Sequence, residues 1–147
     1  MNILFSLNLP RDEASVPVVR HVCRDALAVL GVDEVCVSEI ELAVTEACTN
    51  VLKHVEGTDD QYEVKVEVSE QQCQISVLDT GRGFDHSAHG GQAPSTAESG
   101  RGIAIMQALV DDVRFVSEPE SGTVVHLVKH LALAEDSVLK KLATPTA

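Results

Sequence analysis

The stretch that most constrains this chain is Ser38 to His54, which reads as one long helix opened by a cap at Asp33. At about 100° per residue, Ile40, Val44, Ala47, Cys48, Val51 and Val55 fall on a single apolar stripe, so the helix must lie against another layer. Two polar residues, Glu46 and Asn50, sit one turn apart and project together from the flank of that stripe. A carboxylate can accept a proton or position a nucleophile, and a carboxamide can offer a neutral oxygen to a hard cation. Taken alone, the same pair also fits a solvated helix face, and the loops downstream have to decide between the two.

The flanking sequence predicts the rest of the fold. Ile3, Phe5, Leu7 and Leu9 alternate with polar residues as in a half-buried strand that Pro10 ends. Asp12 or Ser15 can cap a first helix carrying Val18, Val19, Val22, Cys23, Ala26, Leu27 and Leu30, with Pro17 in its first turn and Gly31 as its stop. After the long helix, Tyr62, Val64, Val66 and Val68 alternate with Glu63, Lys65, Glu67 and Ser69, a strand with one wet face. A turn at 69–72 returns the chain as an inner strand, Cys73 to Leu78, in an antiparallel hairpin. From Asp79 to Gly102 six glycines stand in a stretch with few core-forming residues, which reads as a long loop or lid. Helical spacing resumes at Ile103, Met106, Leu109 and Val110, followed by strands over 113–116 and 123–131 and a short helix within 134–142. The order is strand, helix, helix, two strands, lid, helix, two strands: an α+β chain whose sheet is covered on one side. We read one domain over 1–133, with 134–147 as a short C-terminal extension that frays at its end.

Composition removes several function classes. With 23 acidic against 11 basic residues the formal charge is −12, which repels nucleic-acid backbones and anionic membrane surfaces and favours basic protein partners. Three Phe, one Tyr and no Trp leave little to stack on bases. Cys23, Cys36, Cys48 and Cys73 form no C-x-x-C pair and behave as small core residues, which fits a reducing cytoplasm. No secretion signal or membrane span is expected.

Two loop motifs carry the chemistry. Asp79-Thr-Gly81-Arg-Gly83-Phe-Asp places a carboxylate at a strand end, able to accept from an exocyclic amine, with two glycines that let the backbone approach a planar ring. Glu98-Ser-Gly100-Arg101-Gly102-Ile103 stands just before the expected helix start, where unpaired N–H groups favour an anion such as a triphosphate. Each string alone also fits a structural turn or a steric helix start. Neither is a Walker motif or a Rossmann fingerprint.

Taken with Glu46-Ala-Cys-Thr-Asn50 and with Gly122-Thr123 entering the last strand, these motifs resemble the ATP-binding domain of the gyrase, heat-shock chaperone, histidine kinase and mismatch-repair (GHKL) superfamily. The resemblance covers roughly residues 5–131. It implies a two-layer α/β sandwich of the Bergerat type, with a mixed, mostly antiparallel sheet. Within the superfamily the compact spacing is similar to the bacterial anti-sigma-factor serine/threonine kinases. That likeness implies ATP and Mg²⁺ as cofactors, a sigma factor and an anti-sigma-factor antagonist of STAS type as partners, and a possible homodimer. It further implies that Asn50 holds the Mg²⁺ on the phosphates and Glu46 activates the attacking hydroxyl. Asp79 would pair with the adenine amino group, Gly81 and Gly83 would shape that pocket, and Thr123 would close it. Gly100 and Gly102 would face the phosphates, with Arg101 adding a positive charge.

The function so implied is an ATP-dependent protein serine/threonine kinase that sequesters a sigma factor and phosphorylates the antagonist that would displace it. Two alternatives remain from the sequence. One is a non-catalytic, nucleotide-dependent module that sequesters a regulator; the other is a detached histidine-kinase catalytic domain acting in trans. Glu46 favours the enzyme, since a pure binder needs no base there.

Overall fold

A computed structural model describes residues 2–54, 61–79, 97–118 and 122–143 of the 147-residue chain. In chain order the elements are β1 (Ile3–Pro10), α1 (Ser15–Val29), α2 (Glu34–His54), β2 (Gln61–Val68), β3 (Gln72–Asp79), α3 (Ala97–Leu109), β4 (Asp112–Glu118), β5 (Gly122–His130) and α4 (Val138–Ala143). The five strands form one sheet in the order β1-β2-β3-β5-β4, and all four pairings are antiparallel.

The alternation read from the sequence sets which face is buried. Val64, Val66 and Val68 of β2, Cys73, Ile75 and Val77 of β3, and Val125 and Leu127 of β5 turn toward the helices and are buried. On the opposite face, Ser6, Asn8, Lys65 and Gln74 are exposed. Helix α2 presents Ile40, Ala43, Val44, Ala47, Cys48 and Val51 to the sheet, and α1 packs beside it through Val19, Cys23 and Leu27. The β2–β3 turn is held by Ser69, whose N–H donates to the Gln72 carbonyl at 2.9 Å while its Oγ accepts from the N–H groups of Gln71 and Gln72.

Local signals at the helix ends are only partly used as expected. Asp33 caps α2 as read, accepting from the Val35 N–H at 3.0 Å. No side chain caps α1: Asp12, two residues before the cap position, instead accepts from the Ala14 N–H at 2.9 Å, and Ser15 Oγ is drawn to the Asp12 carbonyl. The reason is tertiary, because Ser15 Oγ also meets the buried Tyr62 hydroxyl at 2.6 Å. Helix α3 starts at Ala97, well before Ile103, so Gly100, Arg101 and Gly102 lie within its first turns rather than ahead of it. Glycine in a helix costs about 0.5–1 kcal/mol against alanine, and the burial of Met106 and Val110 below it offsets that cost. Lys129 of β5 anchors the far end, donating to the Leu109 carbonyl at 2.8 Å and pairing with Glu39 of α2 at 2.7 Å.

The segment after β5 folds back onto the α1–α2 junction. Ala134 N–H donates to the Gly31 carbonyl, Asp33 N–H to that of Ala132, and Ser137 Oγ to that of Leu30 at 2.6 Å, while Leu139 enters the core. Gly31 has φ +82°, and a Cβ there would stand 2.7 Å from Ser137 Cα. Residues 144–147, expected to fray, lie outside the described residues.

Gly31→Ala combines a left-handed backbone with a clash against backbone atoms, and should lower the unfolding free energy by roughly 2–4 kcal/mol in urea titration. Burial also pushes the Cys23, Cys48 and Cys73 thiols up from 9.0 to about 12. The unfolded chain therefore releases protons that the fold retains, and stability should fall as pH rises from about 9 toward 12. Cys23→Ala should flatten that alkaline slope by one thiol's share, measured by denaturant unfolding across the range.

Candidate functional site

Among the described residues, Glu46 and Asn50 share one side of α2, Gly102 of α3 lies beside Glu46, and Asp79 stands at the end of β3. Glu46 and Asn50 are half-buried on the flank of the stripe formed by Ala43, Ala47 and Val51. Because α3 crosses α2 here, Gly102 comes up against Glu46: a Cβ built on Gly102 would lie 3.4 Å from Glu46 Oε1. The missing side chain at 102 therefore keeps space open beside the carboxylate. Although the sequence places these residues 56 positions apart, the fold makes them neighbours.

Asp79 ends β3 and its side chain is only 1% exposed. Its partner is a residue the motifs did not single out: Arg11 Nη1 donates to Asp79 Oδ1 at 2.8 Å. The second nitrogen, Nη2, donates to the Val51 carbonyl at 3.2 Å. Val51 begins the last turn of α2, whose carbonyls lack partners within the helix and carry the negative end of its dipole. One guanidinium, itself 7% exposed, thus joins the end of β1, the end of β3 and the end of α2. A planar fork suits this geometry, since it can serve a carboxylate and a carbonyl at once. A buried pair of this kind contributes through completeness: removing either member strands the other charge away from water. The only cue in the sequence was a cation directly after a strand-ending proline in an acid-rich chain, and nothing in the spacing announced a partner 68 residues away.

Tyr62 lies opposite Asp79 in the β2–β3 register and is fully buried, with its hydroxyl against Ser15. Burial pushes that hydroxyl's pKa up to about 12. It is a packing residue beneath the site. Thr123 stands in β5 one residue beyond the Leu78–Val124 pair, which puts its backbone at the same sheet end as Asp79. Gly100 and Arg101 belong to the first turns of α3. Gly81 and Gly83 lie outside the described residues, as does 80–96, most of the expected lid. Among the described residues no group of three or more His, Cys, Asp or Glu side chains could hold a metal ion. Asn50 would supply a single neutral oxygen to a hard cation, which suits an ion whose other ligands are phosphate and water.

A sheet covered on one side by helices, with a carboxylate and a carboxamide on the central helix and an aspartate at a strand end, defines a class. The family model for the histidine kinase-like ATPase domain matches residues 9–129, and the chain belongs to that family. Among curated proteins it is similar to the serine-protein kinase RsbW of Bacillus licheniformis, 30% identical over 133 residues that cover 83% of this chain and 82% of the relative. It is also similar to the anti-sigma F factor of Pasteuria penetrans, 34% identical over 102 residues, 64% of this chain and 68% of the relative. Among solved structures, the RsbU and RsbW domains of a Mycobacterium tuberculosis protein superpose with a TM-score of 0.69 at 22% identity, covering 92% of this chain and 34% of that longer one.

Gly102 offers a direct test of the α2–α3 contact. Gly102→Ala should be accepted, because 3.4 Å is an ordinary contact, and should raise the unfolding free energy by about 0.5–1 kcal/mol. Gly102→Val, whose branches extend beyond that Cβ, should forfeit the gain, as denaturant titration of the two variants would show.

Proposed function

We propose that this chain is an ATP-dependent protein serine/threonine kinase and anti-sigma factor that works by partner switching, phosphorylating its own antagonist. The observation that carries the reading is the convergence on α2, where Glu46 lies beside Gly102 of α3 while Arg11 bridges Asp79 and the Val51 carbonyl, next after Asn50. In this reading Asp79 is the acceptor for an adenine amino group, and Gly81, Gly83 and Thr123 are assigned to the same base pocket. Asn50 would hold Mg²⁺ through its side-chain oxygen, and the ion, when bound, would neutralise phosphate charge. Gly100, Arg101 and Gly102 face the phosphates on a helix whose positive end points toward them.

Phosphoryl transfer asks for positioning more than for covalent chemistry. The hydroxyl oxygen of a partner's Ser or Thr attacks the γ-phosphorus, the bond to the β–γ bridging oxygen breaks, and the hydroxyl proton passes to the Glu46 carboxylate. ADP and a phosphorylated antagonist result. Gly102 matters to this step because a bulkier residue would press on the accepting carboxylate.

The formal charge of −12 suits a protein whose target is a basic regulator such as a sigma factor, steering the encounter and opposing nucleic acid. The antagonist we assign to the STAS type. A homodimer is consistent with the open edge of β1, which ends the sheet. No helix of the described residues is long and apolar enough to cross a membrane, and all four cysteines are free and buried, both in keeping with a cytoplasmic protein.

The decisive substitution is Glu46→Gln, which keeps size and hydrogen bonding but cannot take the proton. Transfer of labelled phosphate from ATP to a candidate antagonist should fall by about 10²–10⁴-fold, while calorimetry shows ADP affinity close to wild type. Equal transfer by the variant would remove Glu46 from the role of base, whereas nucleotide uptake by wild type with no transfer to any antagonist would leave a non-catalytic, nucleotide-dependent binding module.

A further inference from the structure

We infer that Arg11 is a positioning residue for base selection, holding the Asp79 carboxylate in the pose that separates adenine from guanine. The inference rests on the reading of Asp79 as the acceptor for the base. A carboxylate offers acceptors only, so it suits the exocyclic amine of adenine and opposes the carbonyl oxygen that guanine carries at the same ring position. That discrimination requires a fixed carboxylate. An aspartate side chain has two rotatable bonds, and one that swings can turn away from an unfavourable oxygen or admit a water between them.

Arg11 removes that freedom from a position outside the base pocket's own motif. Its Nη1 holds Oδ1 at 2.8 Å and its Nη2 is anchored on the Val51 carbonyl at 3.2 Å, so the guanidinium is held at two points. Both side chains are almost fully buried, which strengthens the contact and excludes the water that would loosen it. Because Val51 follows Asn50, the same clamp fixes the base-reading carboxylate relative to the end of α2 that meets the phosphates. Arg11 stands directly after Pro10, whose locked φ ends β1 and limits how far the guanidinium's backbone can drift.

The test is a double-mutant cycle on nucleotide affinity in Mg²⁺ buffer, read by calorimetry for ADP and by competition for GDP. Arg11→Gln should weaken ADP about tenfold and GDP far less, so that the adenine preference narrows. In an Asp79→Asn background the same substitution should change ADP affinity by less than about twofold, because its effect passes through the missing carboxylate. Equal losses for ADP and GDP, or an Arg11→Gln effect undiminished in the Asp79→Asn background, would reduce Arg11 to a structural tie and overturn the inference. If Arg11→Gln does not fold, Arg11→Lys carries the same comparison, since it keeps the charge but cannot fork between carboxylate and carbonyl. Failure of the site reading itself looks different: wild type would then take up neither nucleotide, or show no preference for adenine.

Discussion

The rest of the molecule depends on the burial of α2. This helix lies against α1, α3, β3 and β5, and its apolar stripe closes the gap between the sheet and the outer helices. A side chain on such an element has few ways to move, because its backbone is held from several directions at once. Glu46 and Asn50 therefore gain their fixed places from neighbours that are purely hydrophobic, such as Ala43, Ala47 and Val51. A site built on a buried helix is more exact than one built on loops.

The electrostatic counterpart of that packing is the cluster at the end of α2. In a chain with more than twice as many acids as bases, a buried aspartate needs a dedicated cation, and Arg11 fills that place while also answering an unpaired helix carbonyl. Lys129 does comparable work at the other end of the layer, meeting both Glu39 and the last turn of α3. Two basic residues thus hold α2 to the sheet from opposite ends, one beside the proposed base pocket and the other away from it. The protein's net acidity is left to the surface, where it can act on partners.

Most of the fold was legible because strand and helix periods differ. The alternation in 62–68 assigns Val64, Val66 and Val68 to one face without reference to anything distant, and the stripe from Ile40 to Val51 does the same for α2. Glu46, Asn50 and Asp79 stood out only in combination with the glycine motifs downstream, since each alone also fits a solvated face or a structural turn. The start of α3 was not legible: glycines at 100 and 102 read as a break, yet the helix runs through them from Ala97. The cap of α1 failed in the same way, since Ser15 was taken by a tyrosine 47 residues on.

By itself the sequence determined the element types, the faces they bury and the family to which the chain belongs, since each of these rests on short-range period or on motifs a few residues long. Only the tertiary structure decided that Gly102 lies beside Glu46 and that Arg11 holds Asp79. Those contacts join residues on different elements, and no local pattern encodes which distant partner a side chain will meet once the layers close.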